Sequence, residues 1–311
     1  MTSRVLISGS MAYDTIMVFE GHFKDHILPD QVHLLNVSFL TPRLQREYGG
    51  CAANIAYSLK GLGGSPTVLA AVGKDGTEYV ERLGRLGIDT ASIRIFQDCY
   101  TAQAFITTDL ADNQITAFHP GAMARAHEVE VTGAAAWGIV APNGLEAMLA
   151  HARAFTRAGI PWILDPGQAL PLFTGETLRE LLVHAAALTV NDYECRLMGD
   201  KTGWSEAELA AQAGTMIVTR GGEGSVLHHG GRIEHIAAAP VRATIDPTGC
   251  GDAYRGGVLH ALARGLSWPV AARLGSVMGA LKIEHPGPQN HVIEPHAIAA
   301  RYHEAYGAMP W

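Results

Sequence analysis

Six short apolar runs, at 5–8, 67–72, 138–141, 161–164, 187–190 and 216–219, recur along the chain between turn-forming residues. Uninterrupted apolar runs of this length suit strands buried on both faces, the setting of a parallel sheet. The segments between them carry helical spacing, as in Ile55, Leu59 and Leu62 ahead of Gly63-Gly64 as a stop. This alternation predicts a doubly wound α/β fold, a mostly parallel sheet flanked by helices. With 311 residues, 48% of them hydrophobic and 17% charged, the chain can build a large core, and intrinsic disorder is excluded. A prior of roughly 150 residues per domain gives about two domains. The reading preferred here is one α/β unit over 1–311 with a small appended sheet.

Two regions break the rhythm. Residues 14–48 contain the strand-like pieces TIMVFEG and HLLNVSF, and 101–121 contain AQAFITTD, a turn at Asp112-Asn113 and QITAFHPG, a β-hairpin pattern. Inserted between the first elements of a parallel sheet, such strands form most simply a separate β lid, from about 14–48 and 101–121, over one edge. A late hairpin is predicted at 225–237, turning at Gly230-Gly231.

Several classes of function are excluded. The balance of 23 Lys and Arg against 30 Asp and Glu is −7, with no basic patch to attract nucleic acid. No apolar run is long enough to span a membrane, and the segment after Met1 lacks a leader pattern. Cys51, Cys99, Cys195 and Cys250 match neither a disulfide framework nor a paired zinc motif, so a reducing cytoplasm is expected. His285, His291 and His296 lack zinc-ligand spacing, and His228-His229 reads as an exposed hairpin pair. The first strand leads into GSMAYD without a G-x-G-x-x-G turn, which argues against a dinucleotide-dependent oxidoreductase.

Ligands of open parallel sheets bind beyond the carboxyl ends of the strands. Here those ends are polar: Asp14 follows the first run, Asp165 the fourth, Asn191 and Glu194 (NDYE) the fifth, and RGGEGS the sixth. Any one of them has a conformational explanation, since Asn, Asp and Gly favour turns. Several along one edge would form a crevice.

The densest signal is DPTGCGDAYRGGVLHAL, starting at Asp246. Gly249 and Gly251 permit a tight turn whose N–H groups converge at a helix start, a cradle for phosphate. Asp252 in the first helical turn is either a cap or an acceptor for the proton of an attacking hydroxyl. Gly256 and Gly257 inside the helix cost roughly 1 kcal/mol each, and Ala271, Gly275 and Gly279 at four-residue spacing predict a second helix in close contact. Cys250 at the helix start is either a reactive thiol or small-residue packing.

DPTGCGDAYRGG resembles the C-terminal signature of the ribokinase, or PfkB, family of carbohydrate and nucleoside kinases. GGCAANIAYSLKGLGG, from Gly49 to Gly64, resembles the N-terminal one. NDYE is similar to the family's magnesium-and-phosphate motif, and VTRGGEGS to its nucleotide-binding strand and turn. The resemblance implies a ribokinase-like fold and an ATP- and Mg²⁺-dependent phosphotransferase. It makes Asp252 the catalytic base and the backbone of Gly249, Cys250 and Gly251 the anion hole. Asn191 and Glu194 would organise Mg²⁺, largely through water. Thr219, Gly221 and Gly224 would lie along the ATP, with Lys282, Gly287 and Gln289 near its adenine and ribose. Asp14, Gly49, Gly50 and Asn54 would hold the acceptor, and the lid would exclude water. Pro247, Cys250 and Tyr254 depart from the commoner Thr, Ala and Phe without touching this chemistry. K⁺ activation is common in the family, and the Asp246 loop lies where that ion would bind.

The lid segments look like those of prokaryotic adenosine kinases and broad-specificity nucleoside kinases. An acceptor carrying a phosphate would call for Arg or Lys on the lid, and 101–123 contains none. Phe105 and Phe118 suit a flat base, with Gln103 or Asn113 hydrogen-bonding its edge; alternatively, both rings fill the lid's own core. The expected activity is a nucleoside 5′-kinase, adenosine first, in a monomer or a homodimer paired through the lid. A ribokinase- or fructokinase-like sugar kinase is the alternative, and a non-catalytic ligand-binding member a third.

Overall fold

The computed structural model describes residues 4–27, 36–111 and 113–307. The chain opens with β1 (Arg4–Ser8), β2 (Ala12–Val18), β3 (Arg43–Gly49), α1 (Cys51–Gly61), β4 (Ser65–Gly73), α2 (Thr77–Arg85) and β5 (Ile93–Phe96). It continues through β6 (Ala102–Thr108), β7 (Gln114–His119), β8 (Trp137–Val140), α3 (Leu145–Arg157), β9 (Trp162–Leu164), α4 (Gly175–His184), β10 (Ala187–Asn191), α5 (Asp192–Thr202) and α6 (Glu206–Ala213). Then follow β11 (Thr215–Thr219), β12 (Ser225–His229), β13 (Arg232–Ile236), α7 (Cys250–Ala263), α8 (Trp268–Ile283) and α9 (Pro295–Tyr306).

Nine strands form the main sheet in the order β13-β12-β11-β10-β9-β8-β1-β4-β5, parallel except for the β11–β12–β13 meander. The fold is the doubly wound, mostly parallel α/β arrangement that the alternation predicts. Its inner strands, β1, β4 and β8 to β11, are largely apolar because both faces are covered, whereas β13 (RIEHI) and β5 (IRIF) at the two edges carry exposed charged residues. Val5 and Ile7 of β1 pack with α1, α2, α7, α8 and α9, whereas Leu6 packs with α3, α4, α5 and α6. Gly257 and Gly275 meet as predicted where α7 crosses α8; a Cβ on Gly257 would lie 2.9 Å from the Gly275 backbone. Gly256 has a different partner, for its Cβ would strike Ser58 of α1 at 2.7 Å. The two glycines thus let α7 approach two helices, one on each side.

A second sheet, ordered β3-β2-β6-β7, is the lid. Its hairpin falls where the alternation predicts, although Asp112 lies outside the described residues. The other arm is a correction. Residues 33–35 of HLLNVSF lie outside the described residues and 36–39 carry no strand; the ring of Phe39 instead packs on Phe19 and Phe23 at 4.9 and 5.0 Å. The strand is β3, RLQREYG, paired antiparallel to β2 from Ala12↔Gly49 to Val18↔Arg43. An edge strand of an open sheet is solvated, so β3 lacks the apolar pattern that marks a strand in sequence. The short strand β5, at the sheet's far edge, was likewise not predicted.

Cross-strand partners share a face, and the lid's register sorts its side chains. Asp14, Ala104 and Phe118 are opposite one another on one face; Thr15, Phe105 and Ala117 are opposite one another on the other.

Candidate active site

β1 is flanked by β4 on one side and β8 on the other, so the connections leaving this centre diverge and a crevice opens at the carboxyl ends. Ser10 beyond β1, Asn143 beyond β8, Asp165 beyond β9, Asn191 ending β10 and Thr219 ending β11 all line one cleft of about 810 Å³. Gly249, Gly251 and Asp252 enter it from the start of α7, and Asp14, Ile106 and Phe118 from the lid. The lid contributes Ala104, Ile106 and Phe118 with Asp14 beside them, and the main sheet and α7 contribute Asp165, Glu194 and Asp252.

Gly50 caps α1 at φ +90°, and a Cβ there would strike the Ser10 carbonyl and Met11 Cα at 2.6 Å. That turn delivers Asn54 to the polar wall, where its Nδ2 donates to Asp252 Oδ2 at 2.8 Å. Asn54 Oδ1 in turn accepts from Gln289 Nε2 at 2.8 Å, and Arg82 Nη1 donates to Gln289 Oε1 at 2.6 Å. Asp252 is therefore oriented by an amide that is itself held from behind. Burial raises the affinity of Asp252 for a proton; the Asn54 hydrogen bond and the Arg255 charge oppose that shift. Asp14 is pushed up to about 6, by desolvation first and then by the charges of Glu47 and Asp252.

Arg255, one turn beyond Gly251, also lines the cleft. Its Nη2 donates to Asp165 Oδ1 at 2.7 Å and its Nε faces Asp165 Oδ2, with both residues buried. Burial works against the guanidinium charge, but Asp165 outweighs it and holds the pKa above its ordinary value. Sequence reasoning missed Arg255 because it reads as one more residue of a helix. The signal was available, since a charge four residues after Gly251 falls on the same helical face.

The start of α7 has the geometry of an anion site. Gly249 is its cap at φ +80°, and the first intrahelical bond, Ala253 N–H to Gly249 O, leaves Gly251 and Asp252 in the first turn. Cys250 is a correction: its N–H donates to Pro247 O at 3.2 Å, closing the turn rather than facing the cleft. Burial pushes its thiol up to about 11, the opposite of a reactive cysteine. In NDYE, Asn191 Oδ1 accepts from Glu194 N–H at 2.7 Å and Glu194 Oε2 from Asn191 N–H at 2.8 Å, a reciprocal cap at the mouth of α5.

Other predicted site residues lie elsewhere. Gln103 bonds Thr15 on the lid face turned away from Asp14, because one step along a strand reverses the face. Asn113 is spent on the Asp109 carboxylate at 3.0 Å, stabilising the hairpin tip. Gln289 is buried behind Asn54. Lys282 is buried too, and Gly287 N–H donates to Asp246 Oδ2 at 2.7 Å. Gly49 lies behind Asp14, whose Oδ2 a Cβ would meet at 2.6 Å. Gly221 and Gly224 form the tight turn that follows Thr219; Gly224 is glycine because the β13 carbonyl of Ile236 presses on it. His228 is not exposed either: it is buried, with Nε2 3.0 Å from Glu206 Oε1.

The sequence pattern of the pfkB family carbohydrate kinases matches residues 4–295. The chain belongs to that family. It is accordingly a phosphotransferase with an alcohol acceptor and ATP as donor. Among its relatives, a nucleoside kinase of Methanothermobacter thermautotrophicus is 30% identical over 309 residues, covering 96% of this chain and 99% of the relative. Among solved structures, the Burkholderia thailandensis nucleoside kinase in complex with inosine superposes with a TM-score of 0.89 at 47% identity, over 98% of this chain and 99% of that one. The same kinase with ADP and inosine gives 0.87 at 49% identity, over 98% and 97%. In this kinase no helix of the described residues is long and apolar enough to cross a membrane.

Proposed function

We propose that the protein is an ATP- and Mg²⁺-dependent nucleoside kinase that phosphorylates the 5′-hydroxyl of a nucleoside, with Asp252 as the base. The observation that carries this reading is the two-sided cleft. Phe118, Ile106 and Met123 offer an apolar wall to a flat base, while Asp14 and Asn54 offer polar groups to a ribose. The likeness to a nucleoside kinase holding inosine supports it. Adenosine remains the first acceptor, with inosine beside it.

In this mechanism Asp14 accepts from ribose hydroxyls and the lid covers the base. Asp252 takes the proton of the 5′-hydroxyl as it attacks, and burial, by raising its proton affinity, suits it to do so. The N–H groups of the Gly249 cap and of Gly251 in the first turn face the negative charge that develops on the transferred phosphoryl. Glu194 and Asn191 fit Mg²⁺, a hard cation that keeps its waters and takes few protein oxygens, since both line the cleft near the anion site. Bound there, the ion would neutralise phosphate charge.

Differential stabilisation tests the acceptor class directly. Adenosine or inosine at saturating concentration is expected to raise the melting temperature by several degrees, with ribose and fructose giving far less. Stabilisation by sugars alone would favour the sugar-kinase alternative.

The reading includes a cytoplasmic setting, supported by four unpaired cysteines, and a homodimer through the lid. The outer lid face exposes Leu44, Phe105 and Ile115 at 66%, 41% and 45%, a cluster that supports pairing with a second lid. Sedimentation equilibrium is expected to give a dimer that Phe105→Glu dissociates; a monomeric native chain would remove it.

A further inference from the structure

Lys282, in the last turn of α8, is fully buried at 0% exposure. A buried ammonium must replace its water with protein oxygens. Nζ donates to the main-chain carbonyls of Asp246 at 2.8 Å and His285 at 3.0 Å, and lies 3.9 Å from Asp246 Oδ2. The same carboxylate accepts N–H bonds from Thr248 at 2.8 Å and Gly287 at 2.7 Å. The ammonium thus sits at the centre of a knot tying the 246–249 turn to the 285–287 turn. From this knot the chain runs directly into Gly249, whose Cβ position is closed by Pro288 at 2.7 Å, and on to Asp252.

Two carbonyls and a carboxylate around one positive charge are the donor set of a monovalent cation site. K⁺, expected at this loop from the resemblance, does not fit beside Lys282, because its oxygens are already taken by the ammonium. We propose that Lys282 is a tethered monovalent cation, a positioning residue that fixes the anion-binding turn before α7 and frees the reaction from dissolved K⁺. The inference rests on the kinase reading of the cleft. Its geometric half, one cation locking two turns, does not.

The test compares the native chain, Lys282→Ala and Lys282→Met in tetramethylammonium buffer with Mg²⁺, titrated with KCl or NH₄Cl. The native chain is expected to change kcat less than about twofold. Lys282→Ala should lose roughly 100-fold in kcat, the scale of disturbing an oxyanion site, with nucleoside KM little changed. It should recover at least about tenfold of that with NH₄⁺ or K⁺, and its melting temperature should rise with those ions but not with tetramethylammonium. Lys282→Met fills the space and should be neither active nor rescued. Strong stimulation of the native chain by K⁺, native kcat in Lys282→Met, or a folded Lys282→Ala indifferent to both ions would each overturn the proposal. Should Lys282→Ala fail to fold, Lys282→Met decides: kcat loss at unchanged KM supports it, native kcat refutes it. If the native chain turned over no nucleoside in any salt, the kinase reading would fall. The ion-dependent melting of Lys282→Ala would still decide the role of Lys282.

Discussion

Asp252→Asn is expected to lower kcat by roughly 10³- to 10⁴-fold, toward the upper end of what a general base contributes. The same substitution should leave nucleoside affinity within a few fold. The reason is geometric: an asparagine carbonyl can still accept the bond that Asn54 Nδ2 gives to Asp252 Oδ2 at 2.8 Å, so the wall of the cleft is kept while the proton acceptor is lost. Single-turnover kinetics beside calorimetric binding separates the two effects. A variant with kcat within tenfold of native would show that Asp252 only caps α7 and that another group takes the proton.

Asp14→Asn is expected to weaken nucleoside binding about 10²-fold at pH 7.5, the scale of losing one or two hydrogen bonds to a charged acceptor. It should also change the pH dependence. Asp14 is pushed up to about 6 by desolvation and by its acidic neighbours, so in the free protein it protonates as pH falls through that value. Its folded pKa lies above the ordinary value. The ionised form is therefore the costly one, so protonated Asp14 contributes stability that is fully present below its ordinary value of 3.8 and is lost as pH rises through about 6. A ribose that donates to the carboxylate offsets that cost. Nucleoside affinity, measured without ATP, should accordingly decline below about pH 6 in the native chain and be nearly flat in Asp14→Asn. An unchanged decline in the variant would assign the titration to another group.

Much of the fold was legible because its signal is local. Strands buried on both faces must be apolar, and each of the six apolar runs falls on a strand of the main sheet, with Ala141 and Pro161 just outside theirs. β3 was not legible, since an edge strand in a solvated lid can be RLQREYG. The candidate site divides the same way. Asp165, Asn191 and Thr219 announce themselves by position at strand ends, and the 246–252 turn by its glycines; Asp14 follows the first apolar run in sequence but sits inside lid strand β2. Gln289 and Lys282 were noticed but misread as nucleotide contacts. Their partners are main-chain carbonyls and an amide 235 residues away in sequence, which no spacing reveals. Gln103 was misread because alternation gives two faces without saying which one meets the cleft; only the register with Asp14 decides.

The most direct test of the central claim is the product itself. The chain is incubated with ATP and Mg²⁺ and with adenosine, inosine, ribose and fructose in competition, and the products are read by phosphorus–proton correlation spectroscopy. The account predicts phosphorus coupled to the 5′ protons of a nucleoside, with kcat/KM at least about 10²-fold above either sugar, the ratio expected when buried groups built for one acceptor are left unpaired by another. Phosphorylated ribose or fructose alongside unchanged nucleosides would contradict it.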